Sequence, residues 1–325
     1  MNYLWHLLLP NLKSTLITSL LFLSQIPTLP NEKIPQEKYY HFSDWCLNYS
    51  ELDPEEKTTV EALMKQGLTA ISSDSNVSWK IAVNTDKCFE VEEALLDKKS
   101  LDFSNDEYSI SDLAPIATLR ELKELNLEQQ RINDLSPLSA LSQLEKLDLS
   151  RNRINNLAPL NSLLELKELD LGYNLIHFLT PLSSLTKLEE LNIEHSVVSD
   201  LEALSSLINL RQLNLSFNRI NNVEPLVSLY NLKKLNLSRN RIQSIRPLAS
   251  LTNLVQLKIE DNYIPLEAQI CPSQQRIVCN DLYDQRIADN FAEEENDLLQ
   301  TQQEILENYR RILKEIITKQ LSTEK

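Results

Sequence analysis

Leu141-Ser-Gln-Leu144-Glu-Lys-Leu147-Asp-Leu149-Ser-Arg-Asn152-Arg-Ile154-Asn-Asn-Leu157-Ala-Pro159-Leu160-Asn-Ser162 is followed at once by a near copy of itself starting at Leu163. The leading leucine returns at Leu119, Leu141, Leu163, Leu185, Leu207, Leu229 and Leu251, 22 residues apart without a slip. Six full units and most of a seventh follow the pattern, so dozens of positions agree in register. A unit this short cannot bury its own leucines. Stacking each unit on the next does, which makes a fixed period of this length the mark of a solenoid.

Within a unit, the residues around Leu147 and Leu149 form a short strand with leucines inward and the intervening residues outward. Stacked strands make a parallel sheet. The fold class is α/β: a leucine-rich repeat solenoid with a parallel β-sheet on the concave face, a helical N-terminal cap and a C-terminal amphipathic helix. Asn152, Asn174, Asn218, Asn240 and Asn262 stand where the chain leaves the strand, and their amides can satisfy backbone groups of the turn. The pairs Pro137-Leu138, Pro159-Leu160, Pro181-Leu182, Pro225-Leu226 and Pro247-Leu248 open the convex segment, predicted as short 3₁₀ or helical turns and loops. Gln130 replaces asparagine in the first unit, which an end effect explains. The fourth unit, Leu185–Ser206, has Ser196 for asparagine and Ala203 for proline. That double departure is either drift at a tolerant position or a local change beside a binding patch.

Outward from the repeats, residues 1–30 read as an export leader, with an 11-residue apolar stretch from Leu16 to Ile26. That is too short to span a bilayer. Residues 31–43 read as a linker and 44–100 as a cysteine-containing cap. In the cap, Asp53, Pro54 and Glu56 start a helix, Val60, Leu63 and Met64 share one face, and Gly67 is expected to stop it. Residues 91–116 echo a degenerate repeat through Leu101, Phe103, Ile110, Leu113 and Ile116, so the repeats span 101–264. A C-terminal cap follows at 265–284. In 285–325, Leu298, Leu299, Ile305, Leu306, Tyr309, Ile312, Leu313, Ile316, Ile317 and Leu321 recur at three- and four-residue steps. They predict an amphipathic helix that packs on the solenoid, oligomerises through 294–321, or lies on a membrane.

Composition narrows function. The net charge of −15 opposes nonspecific nucleic-acid binding, which needs cations against phosphates. Two glycines, Gly67 and Gly172, leave no phosphate loop. The four histidines, His6, His41, His177 and His195, form no H-E-x-x-H pattern. Asp148 and Asp170 are neighbouring carboxylates, but adjacent polar side chains recur on any repeat sheet. No enzyme activity, metal site or cofactor is expected.

The outward positions read as columns about 4.8 Å apart from unit to unit. Tyr173, His195 and Phe217 make an aromatic strip with Arg151 and Arg239 at its ends, residue types enriched at interface hot spots. Phe217 is expected to be exposed. Glu168, Asp170, Glu189, Glu190 and Glu194 crowd the middle of the sheet, and Arg211, Lys233, Lys234 and Arg239 follow, which predicts a dipolar face. The candidate partner-binding set is therefore Arg151, Asp170, Tyr173, Glu190, Glu194, His195, Arg211, Phe217, Lys233, Lys234 and Arg239.

The 22-residue unit with I-x-x-L-x-P-L resembles the short repeats of bacterial internalins, and of the similar regulatory subunit of a eukaryotic protein phosphatase. The resemblance covers about 101–264. Trp45-Cys46-Leu47 before the repeats, and Cys271-Pro272 with Cys279 after them, look like the caps of secreted bacterial members. The resemblance implies a protein-binding scaffold with a concave recognition face, and it names no partner. Seven strands hold the ends of the stack roughly 30 Å apart. A disulfide needs Cα atoms within about 7 Å, so only Cys46–Cys88 and Cys271–Cys279 can pair within a cap. Both bonds would place the chain in an oxidising compartment, secreted, periplasmic or on a bacterial cell surface. Four free thiols in a cytoplasmic protein are the alternative. The favoured function is a scaffold for an unknown protein partner, without nucleic acid or a membrane span. The alternative is an assembly protein that homo-oligomerises through 294–321.

Overall fold

Among the described residues, nine parallel strands lie side by side in chain order. They are β1 (Ser100–Asp102), β2 (Glu124–Asn126), β3 (Lys146–Asp148), β4 (Glu168–Asp170), β5 (Glu190–Asn192), β6 (Gln212–Asn214), β7 (Lys234–Asn236), β8 (Gln256–Lys258) and β9 (Val278–Cys279). The computed structural model describes residues 39–71, 83, 85–104, 108–264 and 278–279. The predicted leader at 1–30, the Cys271–Cys279 pairing and the C-terminal helix fall outside the described residues. The ninth strand lies inside the stretch read as a C-terminal cap.

The register never shifts. Leu101 faces Leu125, Leu125 faces Leu147, and so on to Leu235 and Leu257. Each strand from β1 to β8 is three residues long, with its central leucine buried and its flanks outward. In one unit, Leu141, Leu144, Leu147, Leu149, Ile154, Leu157 and Leu160 are all at most 1% exposed. Full burial of such a side chain contributes ~1.5–3 kcal/mol, so the core accounts for every regular apolar position of the repeat.

The asparagine column holds the turns. Asn174 Oδ1 accepts the Ile154 amide at 2.9 Å, and its Nδ2 donates to the carbonyls of Leu149 (2.9 Å), Leu171 (3.0 Å) and Gly172 (3.3 Å). Asn152, Asn218 and Asn240 repeat the same set. Gln130 is no end effect. It does the asparagine's work, accepting the Ile110 amide at 2.8 Å and donating to Phe103 O at 3.0 Å. Ser196 is shorter, and its Oγ reaches only Asn174 O, at 3.3 Å.

Convex 3₁₀ turns close each unit, for example Ser136–Ala140, Ala158–Ser162 and Glu202–Ser206. Ala203 forms the same turn as the prolines of its neighbours. Outside the third unit, each of these turns is opened by a polar side chain two residues upstream of a backbone amide. Asp134, Asn156, Asp200 and Asn222 accept at 2.9–3.0 Å, and Ser244 at 3.4 Å. Such Asx turns preset the bend. In the third unit the position is Phe178.

Among the described residues, three helices cap the first coil: α1 (Phe42–Leu47), α2 (Pro54–Ile71) and α3 (Lys87–Leu96). At the start of α2, the Asp53 amide donates to Glu56 and the Glu56 amide to Asp53 Oδ1, both at 2.9 Å, the reciprocal box expected there. Three expectations need correction. Gly67 does not stop the helix, which runs on to Ile71. A Cβ at Gly67 would lie 2.5 Å from Val91 Cγ1, so the glycine lets α3 pack against α2. Residues 91–96 belong to α3 rather than to a degenerate repeat. Phe42 and Ser43, placed in the linker, are buried in α1. Cys46 and Cys88 form a disulfide with Cα atoms 5.6 Å apart, joining α1 to α3. The Gln66 amide then donates to Asp102 O at 2.8 Å, and the Thr59 hydroxyl to Asp112 O at 2.6 Å, docking α2 on the first coil.

Candidate binding face

Seven residues directly before the inward turn position take a left-handed backbone: Gln129, Arg151, Tyr173, His195, Phe217, Arg239 and Asp261, with φ between 50° and 58°. None is glycine. This region costs a side-chain-bearing residue about 1–2 kcal/mol. The turn imposes it, because the following asparagine must point inward to reach its carbonyls. The residue before it is thereby thrown outward at the rim of the concave sheet.

Five of these side chains form a continuous stack. The Arg151 guanidinium lies 4.3 Å from the Tyr173 ring centre. Tyr173 and His195 are stacked at 4.3 Å and 15°, and His195 and Phe217 at 3.8 Å and 18°. Arg239 closes the row 4.7 Å from Phe217. The ends are anchored by ion pairs, Arg151 to Glu128 at 3.3 Å and Arg239 to Asp261 at 3.0 Å. Phe217 is half-buried between its neighbours, not exposed as expected. The ring faces are occupied by one another, so the row presents ring edges and guanidinium groups to solvent. Burial holds the His195 imidazole below its usual pKa; Arg239 and Arg151 act in the same direction and Glu194 opposes them.

Inside this rim runs a groove of ≈ 450 Å³, lined by Asp148, Asp170, Glu190, Gln212, Lys234 and Lys258 among others. In its central column each Asx side chain accepts the amide two residues on. Asn126, Asn192, Asn214 and Asn236 do so at 3.0–3.2 Å, Asp148 and Asp170 at 2.9 and 2.8 Å. The amides show that the turn needs no charge, so Asp148 and Asp170 add charge the fold does not require. Burial raises the Asp170 pKa, against its bonds from Asn192 and Gly172, and Asp148 and Glu194 raise it further. Gly172 leaves a dent beside Asp170. A Cβ there would lie 3.1 Å from Asn192 Nδ2 and 3.2 Å from Asp170 Oδ1. Its φ is not positive, so the backbone itself does not demand glycine.

The expected dipole is weaker than the residue order suggests, because neighbouring strands pair opposite charges. Glu168 meets Lys146 at 2.6 Å, Glu189 meets Arg211 at 3.1 Å, and Glu145 bridges Lys123 and Lys167 at 2.6 and 2.5 Å. Those two lysines hold the Glu145 carboxyl down at about 2. Among the described residues, the central acids left without an ion pair are Asp148, Asp170, Glu190 and Glu194, with Lys234 and Lys258 on one side. Arg211 and Lys233 sit outside the groove, in the column ahead of the strands. Lys233 makes no ion pair among the described residues. Of the predicted set, Arg151, Tyr173, His195, Phe217 and Arg239 come together in the stack, and Asp170, Glu190 and Lys234 in the groove. Glu194 lies between them and accepts from Asn214 at 3.0 Å. Residue order did not single out Lys258 and Gln212, or the left-handed backbone. The signal for the last is the constant spacing to the asparagine.

Leucine-rich repeat family models match residues 164–206, as two copies, and 208–264. The crystal structure of internalin C2 from Listeria monocytogenes superposes with a TM-score of 0.56 at 29% identity, covering 65% of this chain and 87% of that one. This is an internalin-like leucine-rich repeat protein. A second Listeria monocytogenes internalin, inlF, gives a TM-score of 0.55 at 32% identity over 62% of this chain, which spans 57% of that protein. No curated protein matches the chain significantly. Internalin-like repeats form an interaction scaffold, and the described solenoid has that architecture. Among the described residues no group of three His, Cys, Asp or Glu could hold a metal ion, and no helix is long and apolar enough to cross a membrane.

Proposed function

We propose that this protein is a non-catalytic scaffold that grips a protein partner on its concave face, across units two to six, outside the cytoplasm. The observation that carries the reading is the Arg151–Tyr173–His195–Phe217–Arg239 row. The fold asks only for a left-handed residue at each of those positions, and polar Gln129 and Asp261 satisfy it at the ends. Large planar groups in the middle serve recognition. The acidic groove beside them, with Lys234 and Lys258 at one side, supplies charge for choosing the partner and orienting it. The Cys46–Cys88 bond supports this location, since disulfides persist in oxidising compartments.

The test is affinity capture from the native source with the wild-type chain and a Phe217→Ala chain in parallel, followed by kinetics on the captured protein. A hot-spot loss of ~2 kcal/mol corresponds to an off-rate about 30-fold faster for Phe217→Ala. Reversing Lys233 and Lys234 to glutamate should slow association and weaken its salt dependence. A partner that binds all three chains with the same rates removes the concave face from recognition.

A further inference from the structure

A second surface departs from the repeat, away from the groove. The residue after the inward turn position is Arg131, Arg153, Leu175, Val197, Arg219 and Arg241 through successive units. These residues form their own ladder, each amide donating to the carbonyl of the previous unit, as Leu175 to Ile154 at 2.9 Å and Val197 to Ile176 at 3.1 Å. In the third unit Leu175 is 52% exposed and Phe178 76% exposed, the highest among the large apolar side chains described. Phe178 also stands where the other units place the Asx or serine side chain that opens the convex turn. That unit therefore forgoes a turn-forming hydrogen bond and sets an apolar side chain in water. His177 lies beside it, ring centres 6.2 Å apart. Arg131, Arg153 and Arg219, which flank the patch, make no ion pair among the described residues.

We infer that this arginine-flanked apolar patch is the docking site of the chain's own segment 287–309. That segment carries seven acidic residues and no lysine or arginine, together with Phe291, Leu298, Leu299, Ile305, Leu306 and Tyr309. It supplies the two things the patch lacks, apolar cover for Leu175 and Phe178 and carboxylates for the three arginines. The groove is closed to it by charge, because Asp148, Asp170, Glu190 and Glu194 would face its acids. Reach is no obstacle. Ile264 lies four units from Ile176, about 20 Å at the strand spacing. The 34 residues from Ile264 to Leu298 span up to roughly 110 Å. Docking at this edge leaves the concave face open, so the inference stands apart from the partner-binding reading.

Hydrogen exchange of amides 298–309 in the full chain tests it, at two protein concentrations a hundredfold apart, with a Leu175→Gln/Phe178→Asp variant alongside. The aspartate placed at position 178 supplies the turn contact that Asp134 and Asp200 make, so the variant's solenoid still folds. The expected result is protection in the wild type at both concentrations and exchange at least tenfold faster in the variant. Unprotected wild-type amides, equal protection in the variant, or protection that grows with concentration, which would mean a second copy is the occupant, each overturns the inference.

Discussion

Asn174 and Tyr173 are adjacent in the chain and belong to two columns with opposite rules. The asparagine column points inward and is nearly uniform. Where it varies, either the work is kept, as at Gln130, or most of it is lost, as at Ser196. The column before it points outward, shares one strained backbone conformation, and holds almost any side chain, from Gln129 to Phe217. The contrast separates two demands. The inner column is set by buried amides and carbonyls that must be paired. The outer one inherits its geometry from the inner and is free to carry recognition.

The strongest way to break this contrast is Asn174→Ala. It strands the Ile154 amide and the Leu171 carbonyl, and leaves the Leu149 carbonyl only its bond from Asn152. At ~1–3 kcal/mol per buried unpaired group, the expected loss is on the order of 3 kcal/mol or more, read as a lower urea midpoint. A loss under about 1 kcal/mol would mean the turns are held by the leucines alone.

Ser196→Asn runs the same argument forward. An asparagine there can reach the Ile176 amide and the Leu171 carbonyl, which the serine does not. The expected gain is about 1–2 kcal/mol. If stability rises while affinity for a captured partner falls, the serine serves binding, and if affinity is unchanged the departure is drift. Unit four is also where residue order is informative but indecisive. The fixed period made the solenoid, its register and the outward columns legible, because the same leucine core is repeated and a slip would expose it. It showed that Tyr173, His195 and Phe217 adjoin. It did not show that their faces would be consumed by stacking, that cross-strand pairs such as Glu168–Lys146 would blunt the dipole, or that Phe178 displaces a turn-forming side chain. Those depend on side-chain directions and on the small print of each turn, which a leucine count does not contain.

Gln129→Gly sharpens the outer column. Glycine relieves ~1–2 kcal/mol of left-handed strain and loses some of that to chain entropy, leaving a gain of about 0.5–1 kcal/mol in thermal or urea unfolding. Phe217→Gly relieves the same strain but forfeits stacking on His195, worth ~0.5–1.5 kcal/mol beyond area, along with buried surface, and should come out destabilised. Equal responses at the two sites would mean that the row contributes nothing to the fold.

The smallest effect is a pH dependence carried by His195. Burial between Tyr173 and Phe217 lowers its folded pKa, and the arginines at both ends of the row add to the shift while Glu194 works against it. Between the folded value and the unfolded one, near 6.5, the unfolded chain binds more protons than the folded chain. Stability therefore rises with pH across that window. His195's contribution is complete above about 6.5 and is lost as the pH falls through the folded value. The measurement is the difference in unfolding free energy between the wild type and His195→Phe from about pH 7.5 to about pH 5, a span chosen to bracket the imidazole titration, which cancels the other titrating groups. Phenylalanine keeps the stack and removes the titration, so the wild type should lose ground to the variant as acid is added. A constant difference would show that the imidazole protonates without leaving its place, its charge absorbed by Glu194, and that the row tolerates a third cation.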